Sequence, residues 1–284
     1  MKSPAQSSRG GNQNRSGLPA FTFVELLVVM AVLALGALLL APALARTQPD
    51  FRSARCLNNH RQLTRAWLMY ASDNNDKLAN NTSGTTIVVN QPIWAYGWMD
   101  WSASMVNTNT VLLADTRYSI LATYFGKDAR LFKCPADVYL SATQRALGWK
   151  ERVRSTSQNI YVANGGGKSG GPTDPAYVVV TNLTGLLNPK PAETWVSMDE
   201  HPDSINDGVL FAPGSGTWYD APASYHDGGN SVAFADGHAE LHRWQSSLVS
   251  IPILVSSFAS RSVPLSDPDY VWMRYHTPRR LGAN

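Results

Sequence analysis

Hydrophobic positions along the chain change period twice. From Leu26 to Ala45 every residue is apolar, Gly or Pro. At about 1.5 Å rise per residue, a helix of these positions measures about 30 Å, the thickness of a bilayer core. The run predicts a transmembrane helix over 21–45. The pattern then becomes amphipathic: Cys56, His60, Leu63, Trp67 and Tyr70 recur at spacings of three and four, so they share one face of a helical continuation over 46–75. That stripe predicts packing on a globular domain, with the helix ending near Ser72-Asp73-Asn74-Asn75 and His60 as a hydrogen-bonded core histidine. Beyond residue 76 the signals are those of a mixed head domain. Residues 111–125 and 141–154 read as short helices, and 177–181 and 194–198 as strands. Residues 231–235 and 238–242 flank Asp236-Gly237, a two-residue hairpin signal. Pairing across such a turn puts Val232, Phe234, Ala239 and Leu241 on the core face, with Ser231, His238, Glu240 and His242 opposite.

Glu25 interrupts the first pattern. An ionised side chain in a membrane-length apolar run costs about 2.5 to 3.5 kcal/mol, so it calls for a cation. Upstream, residues 1–20 form a Ser/Gly/Asn-rich leader with Lys2, Arg9 and Arg15 and no acid, ending in Gly17-Leu18-Pro19-Ala20. Cleavage after Ala20 would create an amine on Phe21, one helical turn from Glu25 or opposite the Glu25 of a neighbouring chain. Phe21, Glu25, the unbroken apolar run and Pro42 resemble the N-terminus of type IV prepilins and type II secretion pseudopilins, whose signature is Phe first in the mature chain and Glu fifth. The position before the cut, usually Gly in that family, is Ala20 here.

The resemblance implies processing and methylation of Phe21 by a prepilin peptidase. It also implies a single-pass bacterial inner-membrane protein with its head outside the cytoplasm, a helix kink at Pro42, and assembly through Glu25 into a fibre with copies of itself or related pilin-like subunits. Two other readings of the segment are a secretory signal cut after Ala43-Leu44-Ala45 and a plain uncleaved anchor. The basic residues after the run, Arg46, Arg52, Arg55, Arg61 and Arg65, oppose the implied orientation under the positive-inside rule.

Composition bounds the remainder. Losing the leader removes its three basic residues and brings the formal net charge from +3 to zero, so no nucleic-acid partner is expected. Nine Trp can build a substantial core. Trp94-Ala95-Tyr96-Gly97-Trp98 and Trp101 read as packing residues. An exposed row of Trp94, Trp98 and Trp101 would instead mark a membrane-anchored binding module for glycans or an envelope protein, the alternative function. The Gly-rich stretch 165–171 lacks the first Gly of a phosphate-binding loop, Val162 standing in its place, and predicts a flexible loop.

Cys56 and Cys134 are the only cysteines. Outside the cytoplasm such a pair favours a disulfide, which would add on the order of 4 kcal/mol by loop-closure entropy, and two buried free thiols are the alternative. His226 followed by nine residues and Asp236-Gly237, together with Cys56-Leu57-Asn58-Asn59, Phe132-Lys133-Cys134-Pro135 and Asp199-Glu200-His201-Pro202, resembles a set of bacterial prepilin-like proteins with long heads and no established reaction. Acidic and imidazole side chains near these blocks make Asp199, His201, His226 and Asp236 candidate ligands for Ca²⁺ or Zn²⁺, although no defined ligand spacing is present. Gly-x-Ser-x-Gly and His-Glu-x-x-His are both absent, so no enzyme is expected. Together these readings give an α+β fold: a long kinked N-terminal helix, its first half transmembrane, packed on a mainly antiparallel sheet head.

Overall fold

The structure is a computed structural model that describes residues 22–163 and 173–282, with the side chains of residues 37–50 excepted. The chain divides into two units, residues 1–48 and 49–284. The processing positions Ala20 and Phe21 and the Gly-rich stretch 165–171 lie outside the described residues, as does the side chain of Pro42.

Helix α1 runs from Phe23 to Asp73. It opens on a capping box: Thr22 Oγ1 accepts from the Glu25 N–H at 3.3 Å, and Glu25 Oε2 accepts from the Thr22 N–H and hydroxyl, each at 2.8 Å. This reciprocal arrangement satisfies two of the helix's orphan donors. It ends two residues before Asn75 and Asp76, whose positive φ values of 54° and 67° break the helical path. Along its second half, Cys56, His60, Leu63 and Trp67 are buried and Tyr70 is half-buried, as the spacing predicts.

The membrane-spanning first half is corrected. Among the described residues no helix is long and apolar enough to cross a membrane. The transmembrane segment, the inner-membrane location and the periplasmic placement that follow from it are therefore not retained.

The head is organised by a five-stranded sheet of order β3-β1-β2-β5-β6, with β1 Thr156–Asn159, β2 Trp195–Asp199, β3 Val209–Leu210, β5 Gly229–Phe234 and β6 Ala239–Arg243. A separate ribbon joins β4 Thr217–Trp218 to β7 Arg261–Ser262. The main sheet is mixed: β1 pairs parallel with β3, while β1–β2, β2–β5 and β5–β6 are antiparallel. The parallel pairing arises because the chain between β2 and β3 passes to the far side of β1 before pairing.

Both sheet faces are covered. On one, Leu63, Trp67 and Ala71 of α1 pack with Val196, Ala235 and Phe132. On the other, Met198, Val232 and Phe234 pack with Tyr270 and Met273 of helix α4, Pro268–His276. The predicted helices at 111–125 and 141–154 shrink to α2, Val111–Ala114, and α3, Ala142–Ala146. Helix α3 begins with a Ser141/Gln144 capping box and stops before Gly148 at φ +75°. Residues 177–181 make isolated bridges, Tyr177 to Arg279 and Val180 to Val162, instead of a named strand.

The β5–β6 hairpin forms where predicted but with a three-residue loop. Ala233 pairs with Ala239, Val232 with Glu240 and Ser231 with Leu241, and Gly237 takes φ +97°. One extra loop residue shifts the register by one and exchanges the face partners. Leu241 is accordingly 49% exposed instead of core. His242 shares a face with Phe234 and stacks on Trp272 at 3.9 Å.

Two buried cations tie the loops to the sheet. Arg154, 0% exposed, donates to the carbonyls of Thr156, Gly97, Asn206 and Asp207 and to Ser157 Oγ. Arg152 donates to Pro202 O and lies 4.0 Å over the Trp101 ring. Burial pulls the Arg154 guanidinium down to about 10, with Glu200 and Asp207 opposing that fall. Replacing Arg154 with Met strands several buried carbonyls, and chemical denaturation should show a loss of about 3 kcal/mol or more. His242 gives a pH signature. Burial, with repulsion from His276 adding, pushes its imidazole from the ordinary 6.5 down to about 4. The folded state therefore prefers the neutral ring, and its contribution to stability is complete above pH 6.5 and is lost as pH falls toward 4. In thermal melts across that window, His242→Phe should show a shallower fall in midpoint than the parent chain.

Candidate metal centre

The site assembles where α1 meets the edge of the first core. On α1, Ser53, Cys56 and His60 lie three to four residues apart and face the same way. Cys134 follows a short 3₁₀ turn, Ala129–Phe132, and its N–H donates to Ser155 Oγ at 2.7 Å, which fixes the thiol beside the start of β1. Asp199 ends β2. His226 opens a turn closed by reciprocal backbone bonds with Gly229, His226 N to Gly229 O at 3.1 Å and Gly229 N to His226 O at 3.0 Å. Gly229 is required there, since a Cβ would lie 2.6 Å from His242 O.

One ligand atom from each of Cys56, Cys134, Asp199 and His226 lies within 4.8 Å of the other three. The Cys56 thiol donates to Asp199 Oδ2 at 2.8 Å, and Cys134 Sγ is 3.4 Å from His226 Nε2. The other His226 nitrogen, Nδ1, is 3.0 Å from Ser53 Oγ. Asp199 Oδ1 accepts from Ser155 Oγ at 2.8 Å and Thr156 Oγ1 at 3.1 Å. His60 Nε2 stands 3.4 Å from Oδ2, while its Nδ1 is 3.2 Å from Ser197 Oγ. Burial opposes ionisation of Asp199, yet attraction to His60 and hydrogen bonds from Cys56 and Ser155 hold its carboxyl well below the usual carboxylate range.

Both thiols are shifted the other way. Burial pushes Cys56 far up, with Cys134 and the Asp199 charge adding to it, and burial also raises Cys134. Raised, buried thiols are poor nucleophiles, and to ligate an ion each would have to lose its proton. Burial lowers His226, keeping its imidazole in the neutral form that can ligate.

Of the predicted ligands the structure brings Asp199 and His226 together and leaves two elsewhere. His201 is buried with both ring nitrogens engaged, Nε2 at 3.3 Å from Ile251 O and Nδ1 at 3.2 Å from the Asp203 N–H. Asp236 stays in the hairpin loop, holding His238 Nδ1 at 2.6 Å. The two cysteines meet, as the pairing expected, but as free thiols without an S–S bond. Their role as partners of Asp199 and His226 was missed because the four residues come from four separate segments. The one signal available was that each sits inside a block of the long-headed resemblance.

The aromatic surface contemplated for the alternative function does not form. Trp94 is 2% exposed with its Nε1 on Gly208 O, and Trp98 and Trp101 are half-buried. Trp101 Nε1 donates to Ser256 O at 3.1 Å. Comparison with protein-family models, with curated proteins and with solved structures finds no match to this chain.

Free, buried thiols make a direct chemical prediction. In the native chain Cys56 and Cys134 should resist alkylation, and after denaturation with a chelator, without reductant, both should label. Quantitative iodoacetamide labelling read by mass spectrometry checks this, and a pair that labels only after reduction would contradict it.

Proposed function

We propose that this chain is a pilin-like structural subunit, cleaved after Ala20 by a prepilin peptidase and built into a fibre through the first part of α1. The observation that carries the proposal is the surface of that segment. From Phe23 to Leu35, ten large apolar side chains are between 43% and 74% exposed, and they fall on every side of the helix. A helix apolar all round requires partners on all sides. Helices of the same kind from neighbouring subunits supply them in a helical stack, each new chain burying its predecessor's apolar surface.

Glu25 fits this reading in a specific way. Its capping box with Thr22 turns the carboxylate back toward the helix N-terminus, the end at which cleavage would create the Phe21 amine. The N–H and hydroxyl of Thr22 lower its acidity constant's exponent below the ordinary carboxyl value, so it meets that amine as an anion. The capping box also gives Glu25 a purely local task, and the two tasks separate by substitution. Gln at N3 keeps the capping geometry and loses the charge.

Purified material should begin at methylated Phe21 by N-terminal mass spectrometry. Glu25→Gln should leave helix content unchanged by circular dichroism and yet fail to enter fibres, with Glu25→Ala failing alongside it. Normal incorporation of the Gln variant would reduce Glu25 to a cap, and an N-terminus elsewhere would remove the processing step on which the amine depends.

A further inference from the structure

We propose that Cys56, Cys134, Asp199 and His226 form a structural zinc site that fastens α1 to the sheet. This inference stands apart from fibre assembly, because it uses none of the residues on which that reading rests.

The donor set is two sulfurs, one imidazole nitrogen and one carboxylate oxygen, already gathered within 4.8 Å. Four ligands of this softness match tetrahedral Zn²⁺, whereas Ca²⁺ takes six or more oxygens. All four come from protein, and three of the four residues are buried. A closed set of this kind holds no position for a reacting water, which makes the site structural and not hydrolytic.

Outer contacts are in place to aim the ligands. A proton on His226 Nδ1 directed to Ser53 Oγ leaves the Nε2 lone pair facing Cys134. Ser155 and Thr156 hold Asp199 Oδ1, turning Oδ2 to the cluster. His60, 1% exposed, places its Nε2 3.4 Å from the same oxygen. A polar array built around one carboxylate oxygen and two thiols is more than packing of a helix requires. Binding is balanced without redox chemistry: each thiol releases its proton to solvent as its sulfur bonds the ion, so two protons leave per zinc. Two thiolates and the carboxylate then outweigh the dication by one negative charge, which His60 faces across 3.4 Å, and the neutral imidazole completes the set.

The test uses the full chain purified without chelator. Elemental analysis should find one zinc per chain, and removal of the metal should lower the thermal midpoint, with zinc alone, but not calcium alone, restoring it. Cobalt in its place should give a thiolate charge-transfer band and visible tetrahedral bands. Cys134→Ser and His226→Ala should abolish the stoichiometric zinc. Ser53→Ala, which leaves all four ligands, should bind zinc about 10-fold more weakly. If the ligand variants do not fold, the cobalt spectrum of the parent chain and the Ser53→Ala affinity decide. The proposal is overturned by a chain that takes up no zinc, by one stabilised by calcium and not zinc, or by an intact mass lighter by the two thiol hydrogens, which would show a Cys56–Cys134 disulfide.

Discussion

The carboxylate of Asp199 is the constraint around which the head is arranged. It is 0% exposed, and a buried charge is tolerable only where neighbouring groups replace the water it loses. Those groups come from every direction. Ser155 reaches it from just before β1 and Thr156 from the first position of that strand, Cys56 and His60 from α1. The backbone on either side is clamped by Asn230 of β5, whose Oδ1 accepts from Asp199 N and whose Nδ2 donates to Asp199 O. Shifting α1 along the sheet by a turn, or slipping β2 against β5, would strand the charge. Register and helix placement are therefore specified by electrostatics at one point, with the apolar stripe of Leu63 and Trp67 supplying the less directional attraction.

The second half of α1 was legible because its chemistry is periodic: buried residues recur at the helical spacing, and no other element reproduces that spacing by accident over five positions. The hairpin was legible for a related reason, since Asp236-Gly237 marks a turn regardless of context. What failed was its register. Sequence cannot distinguish a two-residue loop from a three-residue loop closed by a glycine at positive φ, and that single residue moved Leu241 to the surface and His242 against Trp272. The interior strand β1 was invisible for the opposite reason. Thr156-Ser157-Gln158-Asn159 carries no apolar residue, yet all four are buried. Such a strand is stabilised by tertiary hydrogen bonds, Ser157 to Glu200, Asn159 to Trp195 O and Arg154 to Thr156 O, none of which leaves a trace in local pattern.

Glu25 shows how one residue can satisfy two physical arguments at once. The costly position of an acid at the head of an apolar run suggested a counter-ion, and the resemblance to prepilins supplied one. The structure adds a cheaper partner in Thr22, three residues back. Thr-x-x-Glu is itself a helix-start signature, carried by the polar pair Thr22 and Glu25 and independent of the apolar run that follows. Capping and charge pairing are compatible, since both draw the carboxylate toward the N-terminus and the positive end of the helix dipole.

Helix α1 is held to the sheet through contacts of residues 53–71. Apolar packing by Leu63 and Trp67 resists separation but allows sliding, because dispersion contacts are weakly directional. Resistance to sliding has to come from directional bonds. Cys56 to Asp199, His60 to Ser197 and Arg61 to Ala239 O supply three of these across little more than one helical turn. The bond at Cys56 is the weakest in kind, a thiol donor to a carboxylate. Coordination of both sulfurs to one ion would replace that bond with a stronger, directional link joining α1 to the end of β2 and to the segments that carry Cys134 and His226.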